Sequence, residues 1–242
     1  GIREYLGKPT GPVLISPVKP CVGLSPLEFA DRVYECLIGG FDGVKDDELL
    51  LDPEYCSFEE RVTLTMDRVR KAEQQTGKKK IYFANVGVDI DKIDEMFNVA
   101  MTQGVSGIMF SPLINGFDII KKYKGRVPII AHNNLTHGMT RHPLLGISFS
   151  LWVKIQRLIG ADMMISPAPD RSFYVMSRET NKHNIAVAIE ENGLKKTLIG
   201  LSGSQTPATL YRHVKYMEHD NFAICPGGAV YEHPEGIQSG AQ

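Results

Sequence analysis

Four consecutive residues, Lys45-Asp46-Asp47-Glu48, place one amine and three carboxylates at the end of a short predicted strand within Gly39–Glu48 (GGFDGVKDDE). Side chains alternate along a strand, so Lys45 and Asp47 share one side, and Glu48 joins them only if the strand ends there and the backbone bends. Carboxylate oxygens grouped in this way suit a hard divalent cation such as Mg²⁺. The lysine is the odd member, because an ammonium opposes a cation unless the amine is desolvated, neutral and converted into an anionic oxygen ligand. Standing alone, the tetrapeptide also fits a solvated acidic turn. Other groups with chemical potential are Lys19, Asn85, the run His132-Asn133-Asn134, the turn Ser202-Gly203-Ser204 and the pair Gly227-Gly228. A lysine amine and an imidazole move protons, and turns without bulky side chains let backbone N–H groups approach a phosphate. Singly, each has a plainer reading: a surface lysine, a hydrogen-bonded structural histidine, a glycine turn.

What joins these residues is where the predicted elements put them. Short β-branched runs predict eight strands, at Val13–Ser16, Gly43–Lys45, Ile81–Val86, Gly107–Phe110, Val127–Ala131, Met163–Ile165, Thr197–Leu201 and Phe222–Cys225. Helices lie between them. Ser25-Pro26-Leu27-Glu28 and Ser57-Phe58-Glu59-Glu60 read as capping boxes, and Gly77, Gly104 and Gly193 stand where a left-handed residue would end a helix. Leu27, Ala30, Val33 and Leu37 form one apolar stripe, and Ile93, Met96, Phe97, Ala100 and Met101 another, both facing the core. Strand and helix alternating at intervals of about thirty residues predict parallel strands with right-handed crossovers, and eight such units favour a closed (β/α)8 barrel of TIM type. A doubly wound open sheet is the alternative. In a barrel the catalytic side chains sit at the C-terminal strand ends, and all the residues above fall there.

The whole chain, residues 1–242, reads as one domain, with 43% hydrophobic residues to build a core. After the eighth strand, Gly236–Gln242 is too short for a full closing helix, so truncation at both ends is expected. A net charge of −1 points away from nucleic acid, and Lys78-Lys79-Lys80 reads as a solvated loop. The four cysteines show neither metal-ligand spacing nor the density of a secreted disulfide framework, which predicts a reducing, cytoplasmic setting. No apolar run reaches the length of a membrane span, and the N-terminus does not resemble a signal peptide.

Ser16–Ser25 (SPVKPCVGLS), Val33–Leu37 (VYECL) and Gly39–Glu48 together resemble the catalytic barrel of the RuBisCO large-subunit superfamily, as do His132, Ser202-Gly203, Gly227-Gly228 and His233-Pro234. The resemblance implies a CO₂-derived carbamate on Lys45, which becomes an Mg²⁺ ligand with Asp47 and Glu48. It implies that Lys19 is the base that removes a proton α to a carbonyl, its pKa depressed by the nearby cation and by desolvation. His132 becomes a general acid/base near substrate hydroxyls. Ser202, Gly203, Gly227 and Gly228 would bind phosphate, and Mg²⁺ would stabilise an enediolate.

Departures from the carboxylase pattern shape the expected reaction. Asn133 and Ile165 stand where carboxylating members carry an Arg and a His for a second phosphate, and neutral or apolar side chains cannot replace those charge-assisted bonds. The stretch Ser166–Phe173 (SPAPDRSF) lacks the lysine that positions CO₂ and offers only Arg171, and Cys21 replaces a lysine near the reacting centre. The chain therefore looks like the RuBisCO-like proteins (form IV), which implies Mg²⁺-dependent enolisation of a monophosphorylated keto-sugar or oxo-sugar-acid, by an isomerase or a decarboxylase. Asn133 and Arg171 are the further substrate-binding candidates. Ribulose-1,5-bisphosphate carboxylation and a non-catalytic assembly or regulatory domain are the alternatives. The family also implies a homodimer, with an N-terminal α/β domain, absent from this sequence, reaching over the site from a neighbouring subunit.

Overall fold

The computed structural model describes residues 1–142, 144–169 and 176–242. The chain opens with helix α1 (Ile2–Leu6), strand β1 (Val13–Pro17), α2 (Pro26–Gly39) and β2 (Gly43–Lys45). It continues with α3 (Phe58–Thr76), β3 (Ile81–Asn85), α4 (Ile93–Thr102) and β4 (Gly107–Phe110). Short helices α5 (Pro112–Asn115) and α6 (Phe117–Tyr123) lead to β5 (Ile129–Ala131), α7 (Thr136–Thr140), α8 (Phe149–Ile159) and β6 (Met163–Pro167). The last part holds α9 (Arg178–Ile189), β7 (Leu198–Ser202), α10 (Pro207–Met217), β8 (Ala223–Cys225), α11 (Gly228–Tyr231) and α12 (Ile237–Gly240).

All strand pairs are parallel and follow chain order, and β1 pairs with β8 as well as β2, so the sheet closes and the open-sheet alternative falls. Every predicted strand is present, two with the predicted bounds and the others with ends shifted by no more than two residues. The barrel interior is filled by alternate residues, among them Ile15, Phe83, Met109, Ile130, Met163 and Cys225. Residues of opposite parity, such as Val44, Tyr82, Ala84 and Ile108, join the helices in an outer apolar layer. Helix α1 lies at the N-terminal end of the strands: Arg3 donates to the carbonyls of Gly11 and Asp220, just before β1 and β8, and Ile2 and Leu6 join the interior cluster.

Local signals agree with the structure in part. Ser25 forms the reciprocal capping box with Glu28 that its sequence predicts. Ser57 makes no side-chain cap, because the Phe58 N–H donates instead to Asp52 Oδ1 at 2.6 Å from the preceding loop. Gly77 and Gly104 take left-handed conformations at helix ends, whereas Gly193 does so beyond α9, in the turn leading to β7. Leu27, assigned to the buried stripe of α2, is 51% exposed, and Phe29 takes the core position.

Candidate active site

Strand alternation persists through the end of β2 and divides the Lys45–Glu48 stretch between two environments. Lys45 is buried inside the barrel, where its ammonium donates to Glu48 Oε2 at 3.1 Å and to the Asp46 carbonyl at 2.9 Å. Asp46 turns outward and is fully buried under the helical layer, where Arg61 Nη2 reaches its Oδ2 at 3.3 Å, the Tyr82 hydroxyl its Oδ1 at 2.7 Å and the Asn85 N–H its Oδ2 at 2.9 Å. Burial alone would depress the Arg61 pKa, but Asp46, Tyr82 and Cys56 together outweigh it and hold the guanidinium charged. Burial, together with Asp46, pushes the Tyr82 hydroxyl well up. Asn85 closes the turn from the next strand, its Nδ2 lying 3.2–3.3 Å from the carbonyls of Asp47, Glu48 and Leu50. Asp46 is therefore the anchor of the motif, and Asp47 and Glu48 are the carboxylates paired with Lys19 and Lys45.

Asp47 receives Lys19 from the loop after β1, Nζ to Oδ2 2.7 Å. The same amine reaches Cys21 Sγ at 2.9 Å, and the Arg32 guanidinium on α2 holds the Lys19 carbonyl at 3.2 Å. A side chain at Gly227 would place its Cβ 3.2 Å from Lys19 Cε, so glycine there leaves the lysine its path. The expected depression of the Lys19 pKa depends on a cation, and without one the contacts of the amine act the other way. Burial acts in that direction, but hydrogen bonds to Asp47 and Cys21 reverse it and raise the pKa. The carboxylate assigned to a cation is here the partner of the base.

His132, at the end of β5, lies 3.3 Å through Nε2 from Glu48 Oε2, so Glu48 bridges Lys45 and His132. Burial, and then the Lys45 charge, push the imidazole down to about 4, which leaves it neutral near pH 7. Burial opposes the charge on Glu48, yet Lys45 and His132 hold its carboxyl far below the usual range. Lys19, Lys45, Glu48, His132, Ser202, Gly203, Gly227 and Gly228 all line one cavity of about 1090 Å³ at the C-terminal mouth of the barrel. A second compartment of about 380 Å³ shares Glu48, His132, Ser202 and Gly203 with it, and adds Asn133, Ile165, His137 and Arg141. Arg171 lies outside the described residues, as does the rest of 170–175.

Sequence reasoning missed the residues that hold the site rather than those that face it. Arg61 carried a signal: it interrupts the buried stripe of α3 formed by Phe58, Val62, Thr65 and Val69, a place where a charge requires a partner. Cys21 was noted as a replacement, but not as a contact of Lys19. Gln205 and His213, considered below, carried none.

The family model for the ribulose bisphosphate carboxylase large chain, catalytic domain, matches residues 1–242. A ribulose bisphosphate carboxylase-like protein of Chlorobaculum tepidum is 32% identical over 244 residues, which cover 100% of this chain and 56% of that protein. Among solved structures, the dimeric archaeal Rubisco from Hyperthermus butylicus superposes with a TM-score of 0.90 at 28% identity, over 100% of this chain and 60% of the other. A rubisco-like protein from Burkholderia fungorum gives 0.91 at 26% identity, over 99% and 60%. The chain thus spans little more than half the length of the relatives it matches. A closed barrel whose charged mouth is built from the ends of β1, β2 and β5, matched by this model from first residue to last, belongs to the ribulose bisphosphate carboxylase large-chain family, which includes RuBisCO-like proteins.

Proposed function

We propose that this protein catalyses Mg²⁺-dependent enolisation of a monophosphorylated keto-sugar or oxo-sugar-acid, as an isomerase or a decarboxylase. The observation that carries the reading is the convergence of Lys19–Asp47 (2.7 Å) and Lys45–Glu48–His132 (3.1 and 3.3 Å) on one cavity.

The donor set fits a hard divalent ion on one condition. Among the described residues no three His, Cys, Asp or Glu side chains are grouped to hold a metal, so Asp47 and Glu48 need a third anionic donor. A CO₂ carbamate on Lys45 would supply it and turn an opposing charge into an oxygen ligand. Lewis-acid stabilisation of a developing oxyanion is the chemistry a divalent ion contributes at such a site. Lys19 is placed to take the proton α to the carbonyl, and it becomes a base when Asp47 is engaged elsewhere, because the ion pair holds the amine protonated. His132, neutral near pH 7, is able to accept a proton from a substrate hydroxyl. Ser202, Gly203, Gly227 and Gly228 take the phosphate, with Asn133, and Arg171 from the sequence, as further substrate contacts.

Asn133 and Ile165 in the second compartment favour a single phosphate over two and argue against carboxylation. We assign the working unit as a homodimer in which an N-terminal domain of the neighbouring subunit covers the cavity. Large apolar residues exposed in loops at the C-terminal strand ends support this, notably Leu49 (67%), Leu144 (91%) and Leu145 (80%).

The test is solvent deuterium exchange into monophosphorylated ketoses and oxo-sugar-acids, followed by proton NMR with Mg²⁺ and bicarbonate present. Exchange at the carbon next to the carbonyl is the expected result. Its absence across the panel would overturn the reading, and fixation of labelled CO₂ onto ribulose bisphosphate would replace it with carboxylation. Lys45→Ala should abolish metal-dependent exchange, whereas Lys19→Ala should stop exchange and leave metal binding intact.

A further inference from the structure

The turn between β7 and α10 is held in an uncommon way. Ser204 is one of three non-glycine residues with positive φ among those described, at +49°, and it follows Gly203 at +100°. An L-residue seldom adopts that conformation unless its surroundings impose it. The next residue does so here. Gln205 is 1% exposed, and its side-chain amide folds back to donate from Nε2 to the Gly203 carbonyl. That bond commits the amide nitrogen, so Oε1 must accept, and it does so from His213 Nε2 at 2.8 Å. His213, on α10, is itself 1% exposed, so a buried chain runs from that helix through Gln205 to the turn.

In a trans peptide the C=O and N–H point in opposite directions. Fixing the Gly203 carbonyl on Gln205 therefore also fixes the Ser204 N–H on the far side of the same peptide plane. Gly203, Ser204 and Gln205 all line the large cavity. We propose that Gln205, braced by His213, is a positioning residue that keeps this peptide from flipping, so that the cavity meets an N–H donor and not a carbonyl oxygen. The group that benefits is a tetrahedral oxyanion such as the substrate phosphate, which accepts from N–H and is repelled by C=O. The inference rests on the phosphate assignment made above and adds the device that gives that subsite its sign.

Two readouts separate the device from the assignment. Sulfate, whose charge is constant across neutral pH, is titrated calorimetrically into the intact wild-type protein and into Gln205→Met, which keeps length and loses the bonds to Gly203 and His213. Sulfate affinity should fall about tenfold, the scale of one bond to a charged group. Amide exchange at Ser204 should quicken while the amides of α10 stay protected, and KM for a phosphorylated substrate should rise with little change in kcat. His213→Phe should reproduce a weaker form of each effect, and it substitutes if Gln205→Met does not fold. A wild-type protein that binds no sulfate overturns the anion role. Unchanged Ser204 exchange in the variant overturns the positioning role, whatever sulfate does.

Discussion

The ends of β2 and β5 both send polar side chains into the same cavity, yet they are secured by opposite means. Beyond β2, Asp46 is tied to Arg61 on α3 and Tyr82 on β3, and Asn85 holds three carbonyl groups of the turn. These anchors come from other elements, and Asp46, Arg61 and Tyr82 are fully buried. Beyond β5 the bonds are mostly local. Thr136 caps the Asn133 carbonyl at 2.7 Å, Asn133 Nδ2 meets His137 at 3.4 Å, and Leu135 projects 70% exposed with a positive φ. The contrast matches a division of labour: groups assigned to the proton and the metal are fixed by distant elements, and Asn133 and His137, which the second compartment adds, stand on a short segment held largely by local bonds.

The comparison breaks most directly at Arg61. Arg61→Met strips the guanidinium from a buried carboxylate, and removing one partner of such a pair costs about 3–5 kcal/mol. A fall in Tm of about 10 °C is expected by calorimetry, with loss of activity in the protein that remains folded. A change below about 1 kcal/mol would mean that the β2 end is not held through this pair.

The next effect concerns His132, which at the β5 end is held, like the residues of β2, by a side chain distant in sequence, Glu48. Its folded-state pKa of about 4 lies below the ordinary 6.5, so as pH falls between these values the unfolded chain takes up a proton that the folded chain refuses. Stability from this source is complete above pH 6.5 and is lost on the way to pH 4, about 3 kcal/mol in all. Denaturant titrations across that range should show His132→Gln less sensitive to acid than wild type. Identical slopes would remove His132 from the rigid half of the site.

The smallest change in stability is expected at Asn133. Asn133→Ala should shift the unfolding free energy by no more than about 0.5 kcal/mol while altering preference among substrates that differ at the end remote from the phosphate. A large loss of stability would show that the β5 segment is more tightly built than its local bonds suggest.

Much of this was legible in the sequence because it depends on short-range rules. Strand periodicity gave eight elements and their order, the Ser25 capping box fixed the start of α2, and the barrel then dictated that Lys19, Lys45 and His132 share one mouth. What stayed hidden depends on partners distant in sequence. Ser57 has the residues of a cap, but Asp52 reaches the helix end first. Leu27 fits a helical stripe, but it lies half exposed at the rim of that stripe's buried face. The raised pKa of Lys19 follows from a 2.7 Å contact with Asp47 across 28 positions of chain, which no spacing pattern encodes. Gln205 carries no sequence signal, because its role depends on His213 eight positions on.

Helix α1 has a consequence of a different kind. With Ile2 and Leu6 seated among the interior side chains at one end of the strands, the barrel is a blind vessel and not a conduit. Among the described residues, a ligand reaching Lys19 and His132 enters through the C-terminal mouth that they line, so whatever covers that mouth governs arrival and departure alike.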